Sequence, residues 1–348
     1  MSAPAKKMPY VRLGNSGLKI SKLILGTMQF GDPNWQGWVL PEEESIKAIK
    51  AAYDAGIQTF DTADTYSNGL SEVVLGKAIK QLNLPRDEIV VMTKCYWVVG
   101  RVPSDSYITV YSPDDKGYVN QHGLSRKHIF DSVKASLERL QLDYIDVFQC
   151  HRFDPNTPIA ETMQALHDVV KAGYVRYIGM SSCWAYQFQA MQNYAIANNL
   201  TPFISMQNHY SLLYREEERE MMPALKMLGV SSIPWSPLAR GFLTRPANSQ
   251  VKTKRTETDP YAAYPFPAES GANVTIGRVE EIAKKKGVSM AQIAVAWILS
   301  KDPVAAPVVG PTSIKSLLDL VEGVHVKLTD EEIKYLEEAY RSQSIIGH

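Results

Sequence analysis

Eight short strand-like runs recur along this chain, each followed by a helical pattern, and that alternation restricts the fold more than any other feature. The runs span 22–25, 59–61, 89–93, 144–149, 177–180, 203–206, 230–235 and 306–310. Helical patterns cover 41–56, 71–82, 125–140, 158–172, 185–198 and 217–228, with others at 278–286, 289–299, after the eighth run, and at 329–341. Strands alternating with helices argue for a parallel sheet. Eight such units close into a ring. The expected fold is therefore α/β: a (β/α)8 TIM-type barrel with an N-terminal β-hairpin over 9–20 and extra C-terminal helices, forming one domain over 1–348. A doubly wound sheet fits less well, because no Gly-x-Gly-x-x-Gly follows a strand run.

Charge removes several functions. The 37 basic and 37 acidic side chains cancel, which argues against an electrostatic footprint for nucleic acid or an anionic membrane. No apolar run reaches membrane-spanning length. The segment 1–8 has no apolar stretch of a signal peptide, and the three cysteines form no CxxC pair. Neither a disulfide framework nor a metal site is expected, and a cytoplasmic location is.

In a barrel the chemistry sits at the C-terminal ends of the strands. Those ends carry Gly26-Thr27-Met28, Asp61, Lys94, His151, Ser181-Ser182, Gln207-Asn208, Trp235-Ser236-Pro237-Leu238 and Gly310-Pro311-Thr312. Tyr66 follows Asp61 in a turn. Asp is rarely buried without a partner, and Lys94 is the candidate cation. A phenol with a reference pKa of about 10 is a poor acid, and a nearby ammonium favours its ionised form. Asp61 would hold Lys94 in place, and His151 could donate to the oxygen that receives the Tyr66 proton. Such a group suits polarising a carbonyl while hydride is delivered. Taken singly, these residues have structural readings: a rim ion pair, a packed turn tyrosine, a satisfied strand-end histidine. Four on three consecutive strand ends favour a site.

The same residues make the chain resemble the aldo-keto reductase superfamily: Asp61-Thr62-Ala63-x-x-Tyr66, Met92-Thr93-Lys94, Gln149-Cys150-His151 and Trp235-Ser236-Pro237-Leu238. The resemblance runs from Tyr10 to Tyr340. It is nearest to fungal aryl-alcohol dehydrogenases and versiconal hemiacetal acetate reductases. It implies NADPH-dependent reduction of aldehydes or ketones, with Tyr66 as proton donor and Asp61, Lys94 and His151 completing a tetrad. It also implies a cofactor wall. Ser181 and Gln207 would hold the nicotinamide carboxamide, with Ser182 where an Asn is usual, and Trp235 would stack on the ring. Ser236, Leu238 and Arg240 would bind pyrophosphate. Thr312, Lys315, Ser316 and Asp319 would take the adenosine and its 2′-phosphate. Gly26, Thr27, Met28, Asp61, Pro237 and Gly310 join that wall from their strand ends. An arginine usual near Lys315 is missing, and a solvated helix lysine is the other reading of Lys315.

The loop 239–273 is expected to cover the cofactor; Arg245, Lys252, Lys254 and Arg255 suit phosphates or serve only solubility. Trp35, Trp38, Tyr96, Trp97, Tyr107, Tyr111 and Tyr118 lie on loops at the mouth, and part of them would only pack those loops. Trp35, Tyr96 and Trp97, with Tyr66 and His151, form the expected substrate wall for an apolar or aromatic small-molecule carbonyl or alcohol. Two other readings stay open: oxidation of aryl alcohols with NADP+, and a nicotinamide-binding redox sensor. Cys95 and Cys150 alternate with Lys94 and His151, so they should face the helical layer.

Overall fold

Parallel strands covered by helices are buried on both faces, and the central strands here follow that rule. The structure is a computed structural model describing residues 7–103, 105, 112–249, 251, 254–259, 266 and 268–348; Tyr107, Tyr111 and Lys252 lie outside them. An antiparallel hairpin, β1 (Tyr10–Arg12) and β2 (Lys19–Ser21), comes first. The parallel strands are β3 (Ile24–Gly26), β4 (Thr59–Asp61), β5 (Val90–Cys95), β6 (Ile145–Cys150), β7 (Val175–Ser181), β8 (Phe203–Gln207), β9 (Ser231–Ser232) and β10 (Val308–Val309). They are paired in sequence order, with β10 beside β3. Hydrogen bonds from Ser232 N–H to Pro303 O (3.0 Å), Ala305 N–H to Ser232 O (2.9 Å) and Val308 N–H to Pro234 O (2.8 Å) join the two ends. The sheet is thereby a (β/α)8 TIM-type barrel.

Helices wrap it: α1 (Glu42–Asp54), α2 (Leu70–Gln81), α3 (Arg126–Leu140), α4 (Ile159–Lys171), α5 (Ala185–Ala197) and α6 (Met221–Leu228). A short α7 (Lys254–Thr258) lies in the 239–273 loop, before α8 (Ala272–Lys286), α9 (Met290–Leu299), α10 (Ile314–Gly323) and α11 (Asp330–Glu337). Thr329 and Glu332 cap α11 reciprocally, as a Thr-x-x-Glu pattern should. α6 begins four residues later than its sequence pattern. Starting at Met221 puts Pro223 in the first turn, where its missing N–H has no helical partner to lose. The regular part of β9 is shorter than 230–235, because Pro234 cannot donate to a neighbouring strand.

Two apolar layers result. Leu13 and Ile20 of the hairpin pack with Ile24, Val90, Met92, Val147 and Ile233 inside the barrel floor. Burying each such side chain is worth about 1.5–3 kcal/mol, so the hairpin serves as a plug. Gly14 allows the approach: at φ +55°, any Cβ would sit 2.4 Å from the Ile204 carbonyl oxygen. The second layer lies between strands and helices and contains Cys95, Cys150 and Cys183. Burial pushes all three thiols up in pKa, leaving little reactive thiolate. A thiol reagent should therefore label the native protein slowly and without loss of activity. Rapid labelling of all three with inactivation would contradict packing as their role.

Candidate active site

Along β5 the inward positions run Val90, Met92, Lys94, and along β6 they run Val147, Gln149. Both series change from apolar to polar toward the C-terminal end. Lys94 pairs in register with Gln149, and Ser181 with Gln207. Beyond β4 the ladder continues into the turn: Thr62 N–H donates to Met92 O (2.8 Å) and Asp64 N–H to Lys94 O (3.1 Å). That stitching carries Tyr66 back over β5.

Asp61, 1% exposed, is the hub. Its Oδ2 accepts from Lys94 Nζ at 2.6 Å, and its Oδ1 accepts from the side-chain amides of Gln149 and Gln207 at 2.9 Å each. Lys94 Nζ also donates to Thr62 O at 2.8 Å. A buried ion pair with further hydrogen bonds is the arrangement in which removing one partner is costly. The Lys94 ammonium stands 5.1 Å from the Tyr66 ring centroid, and the Tyr66 and His151 rings meet edge to face at 5.7 Å.

The electrostatics differ from the simplest expectation. Burial, then Asp61, raises the Tyr66 pKa, with Arg152 opposing, so in the free protein the phenol is held protonated. Burial lowers the Lys94 pKa while Asp61 resists. Burial, then Lys94 and Arg152, pushes His151 well below the usual histidine range, so its imidazole is neutral. His151 Nδ1 is buried without a hydrogen-bond partner among the described residues. A protonated phenol, a neutral imidazole and a fixed cation make a constellation that can give up a proton to an oxygen in the adjacent space.

That space is a cavity of about 960 Å³, within the usual range for ligand sites. Tyr66, His151, Asp61, Tyr96 and Trp97 line it; Lys94 lies beneath, fully buried. Gly26, Thr27, Met28, Ser181, Ser182, Gln207, Trp235, Ser236, Pro237, Leu238, Arg240, Gly310, Thr312, Ser316 and Asp319 all reach the wall. Lys315 is not on it and is exposed on α10. Trp35 is buried in a cluster with Trp38 and Val39, backed by Met28 and Tyr66, and Trp38 is the member that reaches the cavity. Tyr118 packs on Val98 and donates its hydroxyl to Asp105 at 2.6 Å. Lys254 is exposed, whereas Arg245 and Arg255 reach the wall. Arg255 sits 4.4 Å from the Trp38 ring centroid, so α7 touches the loop after β3.

Several residues on or behind the wall escaped the sequence reading. Arg152 lines the cavity and donates to the His151 carbonyl at 2.6 Å. His209 stacks between Trp235 (4.1 Å, 9°) and Tyr214 (4.2 Å, 13°), with neither ring nitrogen hydrogen-bonded among the described residues. Trp235 therefore has a rigid backing, and its indole N–H is held by Ser182 Oγ at 3.0 Å. The segment 342–348 also reaches the rim: Ile346 N–H donates to the Tyr214 hydroxyl at 2.9 Å, and the His348 ring lies 4.9 Å from that of Trp184. No periodicity marks that segment. A signal for Gln149 existed: an amide at an inward position of a buried strand needs a partner.

Among the described residues no helix is long and apolar enough to cross a membrane. The Aldo/keto reductase family model matches residues 22–341. A versiconal hemiacetal acetate reductase of Aspergillus parasiticus is 51% identical over 343 residues, covering 97% of this chain and 98% of the relative. A putative aryl-alcohol dehydrogenase of Schizosaccharomyces pombe is 50% identical over 346 residues, covering 97% of both. The aldo-keto reductase AFTS1 of Alternaria alternata is 47% identical over 354 residues, covering all of this chain and 96% of that protein.

Proposed function

This chain belongs to the aldo/keto reductase family, and from that premise we propose that it reduces aromatic or apolar aldehydes and ketones with NADPH, Tyr66 being the proton donor. The family generally uses NAD(P)H, and carbonyl reduction is the chemistry its named relatives support. The observation that carries the reading is one arrangement: Tyr66 and His151 face a single cavity over the buried Asp61–Lys94 pair.

The wall suits a dinucleotide. Ser236, Ala239 and Arg240 have φ of 54°, 49° and 56°, conformations that cost a non-glycine residue roughly 1–2 kcal/mol each. Strain of this kind collects at ligand clamps, and turns of this kind form anion-binding concavities. Arg240 beside them adds a fixed positive charge. Ser181, Ser182 and Gln207 would orient a carboxamide, Trp235 would offer its face, and Thr312, Ser316 and Asp319 would hold the adenosine end. When bound, the reduced nicotinamide supplies the hydride. Tyr66 gives its proton to the substrate oxygen, and the Lys94 ammonium stabilises the phenolate left behind. The neutral His151 hydrogen-bonds the same oxygen. Tyr96 and Trp97, with the Trp38 cluster, exclude water.

Turnover of a nitrobenzaldehyde panel with NADPH and with NADH tests this. Tight NADPH binding with no consumption above background would instead favour a sensor, and faster initial rates with aryl alcohols and NADP+ would favour the oxidative direction. Preference for NADPH should depend in part on Lys315. Because that lysine is exposed, its contribution should be that of a surface pair, under about 1 kcal/mol. Lys315→Glu should weaken NADPH binding several-fold more than NADH binding. Equal affinity of the parent for both cofactors would refute the NADPH assignment.

A further inference from the structure

Beneath the tetrad, shut off from the cavity, lies a second group of buried charges. Asp64 and Glu72 are both 0% exposed. Glu72 is fully engaged: Oε1 accepts from the Thr93 hydroxyl at 2.6 Å and Oε2 from Arg139 Nε at 2.6 Å. Gly69, at φ +90°, makes room for this arm, since a Cβ there would lie 2.7 Å from Arg139 Cδ. Asp64 has far less. Its Oδ2 accepts from the Ser132 hydroxyl at 2.9 Å, the Thr65 backbone N–H favours the charged form, and Oδ1 has no close hydrogen-bond partner among the described residues. Two carboxylates thus share one guanidinium, and the guanidinium is committed to Glu72. A buried carboxylate so poorly paired favours its neutral form. The turn fixes Asp64 between Asp61 and Tyr66, with its N–H on the Lys94 carbonyl.

We propose that Asp64 is a positioning residue for the proton transfer, its negative charge opposing loss of the Tyr66 proton and its protonation lifting that opposition. This rests on the reading of Tyr66 as the donor. The groups that face Asp64 are Asp61 and Tyr66 on its own turn, Lys94 and Cys95 on β5, Glu72 on α2, and Ser132 and Arg139 on α3. Burial, then Glu72, pushes Asp64 up to about 7, while Arg139, Ser132 and the Thr65 backbone N–H oppose. Asp64 is therefore mostly neutral below that pH and mostly anionic above it. An anion there raises the Tyr66 pKa further. Reduction should accordingly be faster on the acid side and slow as pH rises through neutrality.

The test is the pH profile of kcat/KM for reduction of a neutral aldehyde, measured on the full chain, with Tyr66→Phe assayed alongside. Glu217, beneath the 342–348 segment, is also held up by burial, to about 8, so the parent carries a second titrating group. Asp64→Asn should abolish the inflection near neutrality and leave any Glu217 inflection in place. Ser132→Ala removes a hydrogen bond to the ionised form and should raise the midpoint. Glu72→Gln removes a like charge and should lower it. Shifts of about half a pH unit or more, in opposite directions, are expected. A merely structural role would change rate without moving the midpoint. If Asp64→Asn fails to fold, the Ser132 and Glu72 variants decide by direction alone. An inflection that persists in Asp64→Asn, or midpoints that stay put in the other two, overturns the proposal while Tyr66 stands. Full activity in Tyr66→Phe overturns the donor reading and this inference with it.

Discussion

Tyr66→Phe lowers kcat/KM for carbonyl reduction by a factor on the order of 10² to 10⁴, the usual worth of a positioned acid. The ring stays, so its edge contact with His151 and its packing on the Trp38 cluster stay too. Most of the wall expected to hold the cofactor comes from β7, β8 and later segments, so the NADPH dissociation constant should remain within a few-fold. The loss arises because Tyr66 is held protonated until charge develops on the substrate oxygen, and the neighbouring groups do not replace it. His151 is neutral and Lys94 is occupied by Asp61 and Thr62. Should the variant keep most of its turnover with a reactive aldehyde, the proton must come from His151 or a water that it holds.

Lys94→Met should be as damaging to rate and, unlike Tyr66→Phe, damaging to stability. Lys94 is fully buried and neutralises Asp61 at 2.6 Å. Removing one member of a buried pair leaves an uncompensated charge and costs about 3–5 kcal/mol. The two amide donors from Gln149 and Gln207 remain on Oδ1 and hold the penalty within that range. The double variant Asp61→Asn/Lys94→Met removes both charges, so denaturant unfolding should show part of the stability restored with no return of activity. In rate, Lys94→Met and Tyr66→Phe should not add, since both serve one proton transfer. Additive losses, or a double variant no more stable than Lys94→Met, would show that the pair acts otherwise.

Much of the site was legible because barrel chemistry gathers at strand ends, and strand ends can be read from alternation. Asp61, Tyr66 and His151 fall on one cavity wall for that reason, with Lys94 directly below. Placement of Lys315 and Trp35 was less legible. A helix residue's direction depends on how the helix is rotated on the barrel, and α10 turns Ser316 and Asp319, not Lys315, toward the cavity. The loop after β3 folds so that Trp38, not Trp35, reaches the cavity. Neither rotation nor loop path leaves a periodic mark.

By itself the sequence determined the strand count, the helical wrapping, the N-terminal hairpin and the residue types at the rim, because side-chain periodicity and turn chemistry act over a few neighbours. Only the tertiary structure decided the charge states. Tyr66 protonated, His151 neutral and Asp64 poised near neutrality follow from burial, and burial is a sum over residues distant in the chain. The same holds for the Tyr214–His209–Trp235 stack and for the 342–348 segment that reaches the rim. Desolvation and stacking depend on three-dimensional neighbours, and a linear pattern does not specify them.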